Sequence, residues 1–148
     1  FQHRITLVEG FYNSAELCFT QGRYIICAFL LHQSLEQMCI ILIRVLLGYR
    51  SEFHNIKRLL LLCNAFSDIP YNWFLSKDSN DQRLFELLLK SYSQARYNSN
   101  FTVSELDAKH LLEKIASFTT IGKELCREKI ESLNQVAFAT NGSEVNHA

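Results

Sequence analysis

The sequence is short of the residues that interrupt helices and build turns. One Pro and five Gly stand in 148 residues, and no stretch alternates apolar and polar positions with period two over a useful length. Sheet architectures lose their signal on both counts, and a hydrophobic content of 48% excludes a disordered chain. An excess of either charge is also missing. Fifteen Lys and Arg balance fifteen Asp and Glu, so no global field draws the chain to a polyanion or an anionic membrane, and any phosphate contact must rest on local basic groups. The five cysteines (Cys18, Cys27, Cys39, Cys63 and Cys126) include no C-x-x-C and no Cys/His pair at metal-ligand spacing. They read as small buried hydrophobes in a reducing compartment rather than as disulfides or a metal site. No secretory leader opens the chain, whose first residues FQHRITLVEG lack a charged-then-apolar layout. A Gly-rich phosphate loop, a Ser-centred nucleophile elbow and a carboxylate cluster suited to two metals are absent as well. No cofactor and no metal is expected.

What the chain does have is one long apolar segment, residues 25–47, IICAFLLHQSLEQMCIILIRVLL. Wound as a helix, it carries an unbroken stripe of Ala28, Leu31, Leu35, Met38, Cys39, Leu42, Val45 and Leu46. Its remaining circumference mixes His32, Gln33, Glu36 and Arg44 with Phe29, Ile40, Ile43 and Leu47. The segment is long enough to span a bilayer, but three ionisable residues inside it make that costly, and a membrane span is rejected. Burial on more than one side makes it the central helix of a bundle. Phe29, Ile40, Ile43 and Leu47 form a second apolar arc that needs cover, from the chain's own helices or from a second copy.

The other elements follow from spacing and punctuation. Val8, Phe11, Tyr12, Ala15, Cys18 and Phe19 predict a first helix over residues 1–21, and the central helix ends at Gly48. A third helix is predicted over 53–67 with Ser51 as N-cap. Residues 68–82, with the only Pro and Trp, read as a loop with one short turn at most, its Tyr71, Trp73 and Phe74 packing back on the bundle. Leu84, Leu87, Leu88 and Tyr92 predict a fourth helix over 81–95. A Thr102-x-x-Glu105 capping pattern opens a fifth, which reaches about Asn134. The expected fold is all-α: an up-and-down antiparallel bundle of about five helices in a single domain over residues 1–136, with a frayed tail over 137–148. The chain opens on Phe1 rather than Met, which suggests a domain cut from a longer protein with a segment ahead of it.

Two groups of residues carry chemistry. His32 and Glu36 lie one turn apart on the central helix, and Arg50 and His54 follow its end. The helical pair reads as an acid/base couple, as half a metal site, or as a hydrogen-bonded pair steadying a helix contact. A guanidinium beside an imidazole is the minimum kit for phosphate chemistry, one gripping the anion and the other moving a proton; a solvated loop Arg and a capping His is the alternative. The second group is Arg96-Tyr97, after Tyr92 and before Phe101, where Arg suits a phosphate and Tyr a base. A structural Arg–Tyr pair closing the loop is the alternative.

In order, AFLLHQSLEQ, GYRSEFHNIKRLL and SYSQARYNSNFTVSELDAKHL resemble the HEPN domain (higher eukaryotes and prokaryotes nucleotide-binding) over about residues 9–126. The likeness is to the version fused to, or encoded beside, a minimal nucleotidyltransferase. The family's Gln and Glu fall on Gln33 and Glu36, its His on His54 before Asn55, and its Arg-Tyr on Arg96-Tyr97. The resemblance implies a helical bundle, a homodimer and binding of nucleotide or RNA, and some members are toxins of toxin–antitoxin pairs; the expected location is the cytoplasm. Many members are metal-independent ribonucleases with Arg and His separated by four to six residues. Here three residues separate Arg50 from His54 and nine separate Arg44 from it, so neither pair fits, and Ile40 replaces a frequent Lys. The expectation is therefore a binding domain without catalysis. Its ligand contacts are Arg50, His54, Arg96 and Tyr97, its orienting groups Gln33 and Glu36, and its partner a nucleotidyltransferase domain in the same or a neighbouring chain. The alternatives are a divergent endoribonuclease using Arg50 and His54, and a dimerisation module.

Overall fold

The computed structural model describes residues 1–52 and 54–145, with side chains placed through residue 142. Among these residues there are six helices and no strand: α1 (Gln2–Thr20), α2 (Tyr24–Leu47), α3 (Ile56–Cys63), α4 (Ile69–Leu75), α5 (Ser79–Gln94) and α6 (Glu105–Val145). The order builds an up-and-down helical bundle around α2, which packs on α1, α3, α5 and α6.

Apolar residues on more than one arc put α2 at the centre. Leu31, Leu35, Met38, Cys39 and Leu42 of the stripe are fully buried, and so are Ile41 and Ile43 outside it. Each such side chain contributes about 1.5–3 kcal/mol through the area it removes from water. The second arc is covered from within the chain, one of the two covers its pattern allowed. Ile40 and Ile43 are buried by helices of the same chain, and Phe29 lies half-buried with its ring stacked on Tyr92 at 6.1 Å. Only Leu47, at the helix end, stays exposed, so this arc gives no reason for a second copy to cover it. α2 is the one helix among the described residues long and apolar enough to cross a membrane, and most of its surface is covered within the bundle.

The α1–α2 turn is short because Gly22 adopts φ +74°, which lets the Arg23 and Gly22 amides donate back to the Cys18 and Phe19 carbonyls. Gly48, at φ +64°, ends α2 as its spacing suggested. Two side chains then tie α1 down: Tyr12 Oη donates to the Leu112 carbonyl at 3.2 Å, and Ser34 Oγ to the Val8 carbonyl at 2.9 Å.

Five local readings differ from the structure. α3 begins at Ile56 with Asn55 as its cap, accepting from the Arg58 amide, rather than at residue 53 with Ser51; Phe53 itself lies outside the described residues. It also ends earlier, at Cys63, because the chain tightens into three-residue turns over Asn64, Ala65 and Phe66. Residues 69–75 form α4 instead of a loop, since Pro70 occupies the first turn, where its missing N–H costs nothing. From α4, Phe74 is buried against Phe85 and Phe118 at 5.7 and 5.0 Å, and Trp73 Nε1 donates to the Lys114 carbonyl. Finally, the hydroxyl that caps α6 belongs to Ser104, which accepts from the Asp107 amide, and not to Thr102. α6 extends past Asn134 to Val145, with residues 131–142 exposed; residues 146–148 lie outside the description.

Candidate functional site

The polar residues of α2 meet the rest of the chain at two places one turn apart, about 6 Å along the helix axis. At the first, Glu36 is only 8% exposed, while His54, in the stretch leading to α3, is 75% exposed. His54 Nδ1 donates to Glu36 Oε1 at 3.0 Å, which leaves Nε2 turned to solvent. The carboxylate thus fixes the ring of an open imidazole.

At the second place an aromatic stack leads outward from the core. His32 is buried, and its ring lies parallel to that of Tyr92 at 4.6 Å. The Gln33 amide donates to His32 Nδ1 at 3.4 Å. Burial alone pushes the His32 pKa down to about 4, so near neutral pH this is an uncharged ring in a stack and not a proton carrier. Tyr92, at the last turn of α5, is 43% exposed and closes the stack toward solvent.

Arg96 sits beyond Tyr92, its guanidinium carbon 5.6 Å from the Tyr92 ring centroid and 5.2 Å from that of Tyr97. Tyr97 is 79% exposed. Arg96 makes no ion pair with a carboxylate among the described residues. Exposed cation–π contacts contribute about 0.5–1 kcal/mol, enough to bias the side chain but less than a charge-assisted bond to an anion, about 1.5–3 kcal/mol. The arrangement therefore presents an available cation between two aromatic faces. A phosphate suits the first and an unstacked base the second.

Of the residues picked out from the sequence, Glu36 and His54 touch each other, and Arg96 and Tyr97 form the outer cluster. Gln33 reaches that cluster through His32. Arg50 is exposed and makes no hydrogen bond or ion pair among the described residues. His32 and Glu36 do not form a couple with each other: each turns to a partner from another part of the chain. Tyr92 and His32 belong to the site although neither was chosen as a ligand contact. The available signals were the i,i+4 spacing of Tyr92 and Arg96 and the i,i+3 spacing of Phe29 and His32.

Other chemistries find little support. Burial lifts the thiols of Cys27 and Cys63 to about 12 and that of Cys126 to about 11, far from a reactive thiolate. Among the described residues no three His, Cys, Asp or Glu side chains are grouped to hold a metal ion. The sequence model of the HEPN domain matches residues 7–125. No curated protein matches the chain.

Proposed function

The chain belongs to the HEPN domain family, and on that premise we propose that it binds the phosphate and base of a nucleotide or of single-stranded RNA, without catalysing a reaction itself. The observation that carries this reading is Arg96: an exposed guanidinium, unpaired with any described carboxylate, held between the rings of Tyr92 and Tyr97. Phosphate docks on the guanidinium, and a base stacks on the open face of Tyr97. Gln33 and the neutral His32 hold Tyr92 in place from behind. Glu36, one turn along α2 from His32, orients His54, and His54 and Arg50 are proposed as further contacts for the same ligand. The test is thermal unfolding with and without mononucleotides and a short RNA. A ligand at about 100 times its Kd stabilises by about 2.7 kcal/mol, a rise of roughly 5–10 °C for a chain of this size. The rise is expected in the wild type and lost in Arg96→Ala. Equal rises in both remove Arg96 from the site.

The Glu36–His54 hydrogen bond favours a second reading, metal-independent cleavage of RNA. His54 Nε2 takes the proton of a ribose 2′-hydroxyl, whose oxygen bonds to phosphorus as the P–O5′ bond breaks to leave a 2′,3′-cyclic phosphate. The leaving 5′-oxygen takes its proton from water, Glu36 steadies the imidazolium, and Arg50 offsets charge at phosphorus. RNA incubated in EDTA decides between the two: cleavage that disappears in His54→Ala supports the enzyme, and intact RNA supports the binder. The partner proposed for either reading is a nucleotidyltransferase domain in the same or a neighbouring chain, in the cytoplasm, as in a toxin–antitoxin pair. It rests on the likeness of the segments around Gln33, His54 and Arg96, and co-purification of the two from a shared transcript tests it.

A further inference from the structure

The start of α1, the last turns of α2 and the second half of α6 meet around two adjoining hollows, both lined by Phe1 and Ile130. One, of about 290 Å³, continues over Ile41, Val45 and Leu133; the other, of about 370 Å³, continues over Ile5. Ile5 and Ile41 are buried, whereas Phe1, Ile130 and Leu133 stay 53%, 38% and 53% exposed, so the floor is apolar and open to water. The pattern behind it is local. Phe1 and Ile5, Ile41 and Val45, and Ile130 and Leu133 each lie about one helical turn apart.

Charge is spread unevenly around this floor. Beside the larger hollow Lys123 is paired with Glu9 at 2.7 Å and Arg127 with Glu124 at 2.6 Å, and Glu131 adds an acid, so that rim offers no free cation. The smaller hollow is rimmed by Arg4 and Arg44 and by no acidic side chain. Arg4 Nη1 donates to Gln37 Oε1 at 2.8 Å, a neutral acceptor that steadies the guanidinium without cancelling its charge. Arg44 is exposed and makes no ion pair or hydrogen bond among the described residues. An apolar floor with two cations at one end suits an amphiphile with an anionic head.

We propose that this groove binds a long-chain carboxylate, its head between Arg4 and Arg44 and its tail laid over Ile130 and Phe1 into the larger hollow. Size sets the chain. From Lys123 to Leu133 α6 rises about 15 Å, and an extended chain advancing about 1.2 Å per bond covers that with roughly twelve carbons. A partner helix is the poorer occupant, because one turn of a helix about 10 Å across takes roughly 420 Å³, more than either hollow. None of the residues of the nucleotide reading takes part, and the test involves no nucleotide.

Isothermal titration calorimetry of the full chain with laurate, kept below its micellar concentration, reads the outcome. The wild type is expected to take up one laurate per chain. Dodecyl maltoside, with the same tail and an uncharged head, is expected to bind at least about tenfold more weakly. Arg4→Gln combined with Arg44→Gln should weaken laurate by a similar factor and leave the maltoside unchanged, a contrast that a general loss of structure would not give. Ile130→Glu, at a position already partly open to solvent, should keep the helical circular-dichroism spectrum and lose both ligands. A wild type without saturable laurate binding overturns the proposal, and uptake of an acidic amphipathic peptide instead gives the groove to a protein partner. Laurate binding that the two Arg substitutions leave intact overturns it equally, and marks adsorption on the exposed apolar turns of α6.

Discussion

Acid should destabilise this protein through one identifiable side chain. His32 is 3% exposed, stacked on Tyr92, and held by burial at a pKa of about 4 instead of the ordinary 6.5. Above pH 6.5 the ring is neutral in both folded and unfolded chains and exacts nothing. Below 6.5 the unfolded chain takes up a proton that the folded chain refuses, so stability falls until the folded ring also titrates near 4 and then levels off. Integrated between those values the loss reaches about 3 kcal/mol, of which about 2.5 kcal/mol is spent by pH 4.5. Other groups titrate in this range too, so the measurement is a difference between wild type and His32→Phe, which keeps a flat ring against Tyr92 and cannot be protonated. Urea unfolding at pH 7 and at pH 4.5 supplies it. With a slope of about 2 kcal/mol per molar, the wild-type midpoint should drop by roughly 1.3 M more than that of the variant. Parallel drops in the two proteins would refute the reasoning, because the acid sensitivity would then reside elsewhere.

Two further substitutions test the fold. Asp78 caps α5 by accepting from the Asn80 and Asp81 amides at 2.8 and 2.9 Å, so Asp78→Ala should cost about 1 kcal/mol in denaturant unfolding, and Asp78→Asn much less. At Gly122 a Cβ would stand 2.6 Å from Met38 Cε and 3.3 Å from its Cγ, with Met38 itself fully buried. Gly122→Val should therefore destabilise by about 1–3 kcal/mol, and part of that loss should return in a Met38→Ala background. An additive double mutant would mean that Met38 is not the obstacle.

What could be read from the sequence and what could not divide along chain distance. The stripe of α2, the Gly48 stop and the absence of strands are local patterns, and the structure agrees with them. The start of α3 is not legible in the sequence, because Ser51 and Asn55 are both good caps and local chemistry does not choose between them. α4 is hidden in the sequence because Pro reads as a breaker, although at a first turn it starts a helix as readily. α6 runs on past its last buried residue because extending an existing helix costs far less than starting one, and its final turns contain no Pro. The candidate site shows the same division. Arg96 beside Tyr97 is visible as a dipeptide. The meeting of Glu36 with His54, and of His32 with Tyr92, depends on how α2 packs against two other segments, which no window of sequence contains. The cover over Ile40 and Ile43 is likewise not local: the pattern of α2 allows the chain's own helices or a second copy, and only the packing shows that helices of the same chain bury them.

The claim on which the functional account rests is that Arg96 and Tyr97 receive a nucleotide unit, and a fluorescence-anisotropy titration of labelled single-stranded RNA at low salt tests it most directly. A guanidinium–phosphate contact contributes about 1.5–3 kcal/mol, so Arg96→Ala should weaken binding by at least about tenfold. Tyr97→Leu should weaken it by a similar factor through the lost stack. A wild-type chain that fails to bind, or variants that bind as tightly as the wild type, would contradict the account.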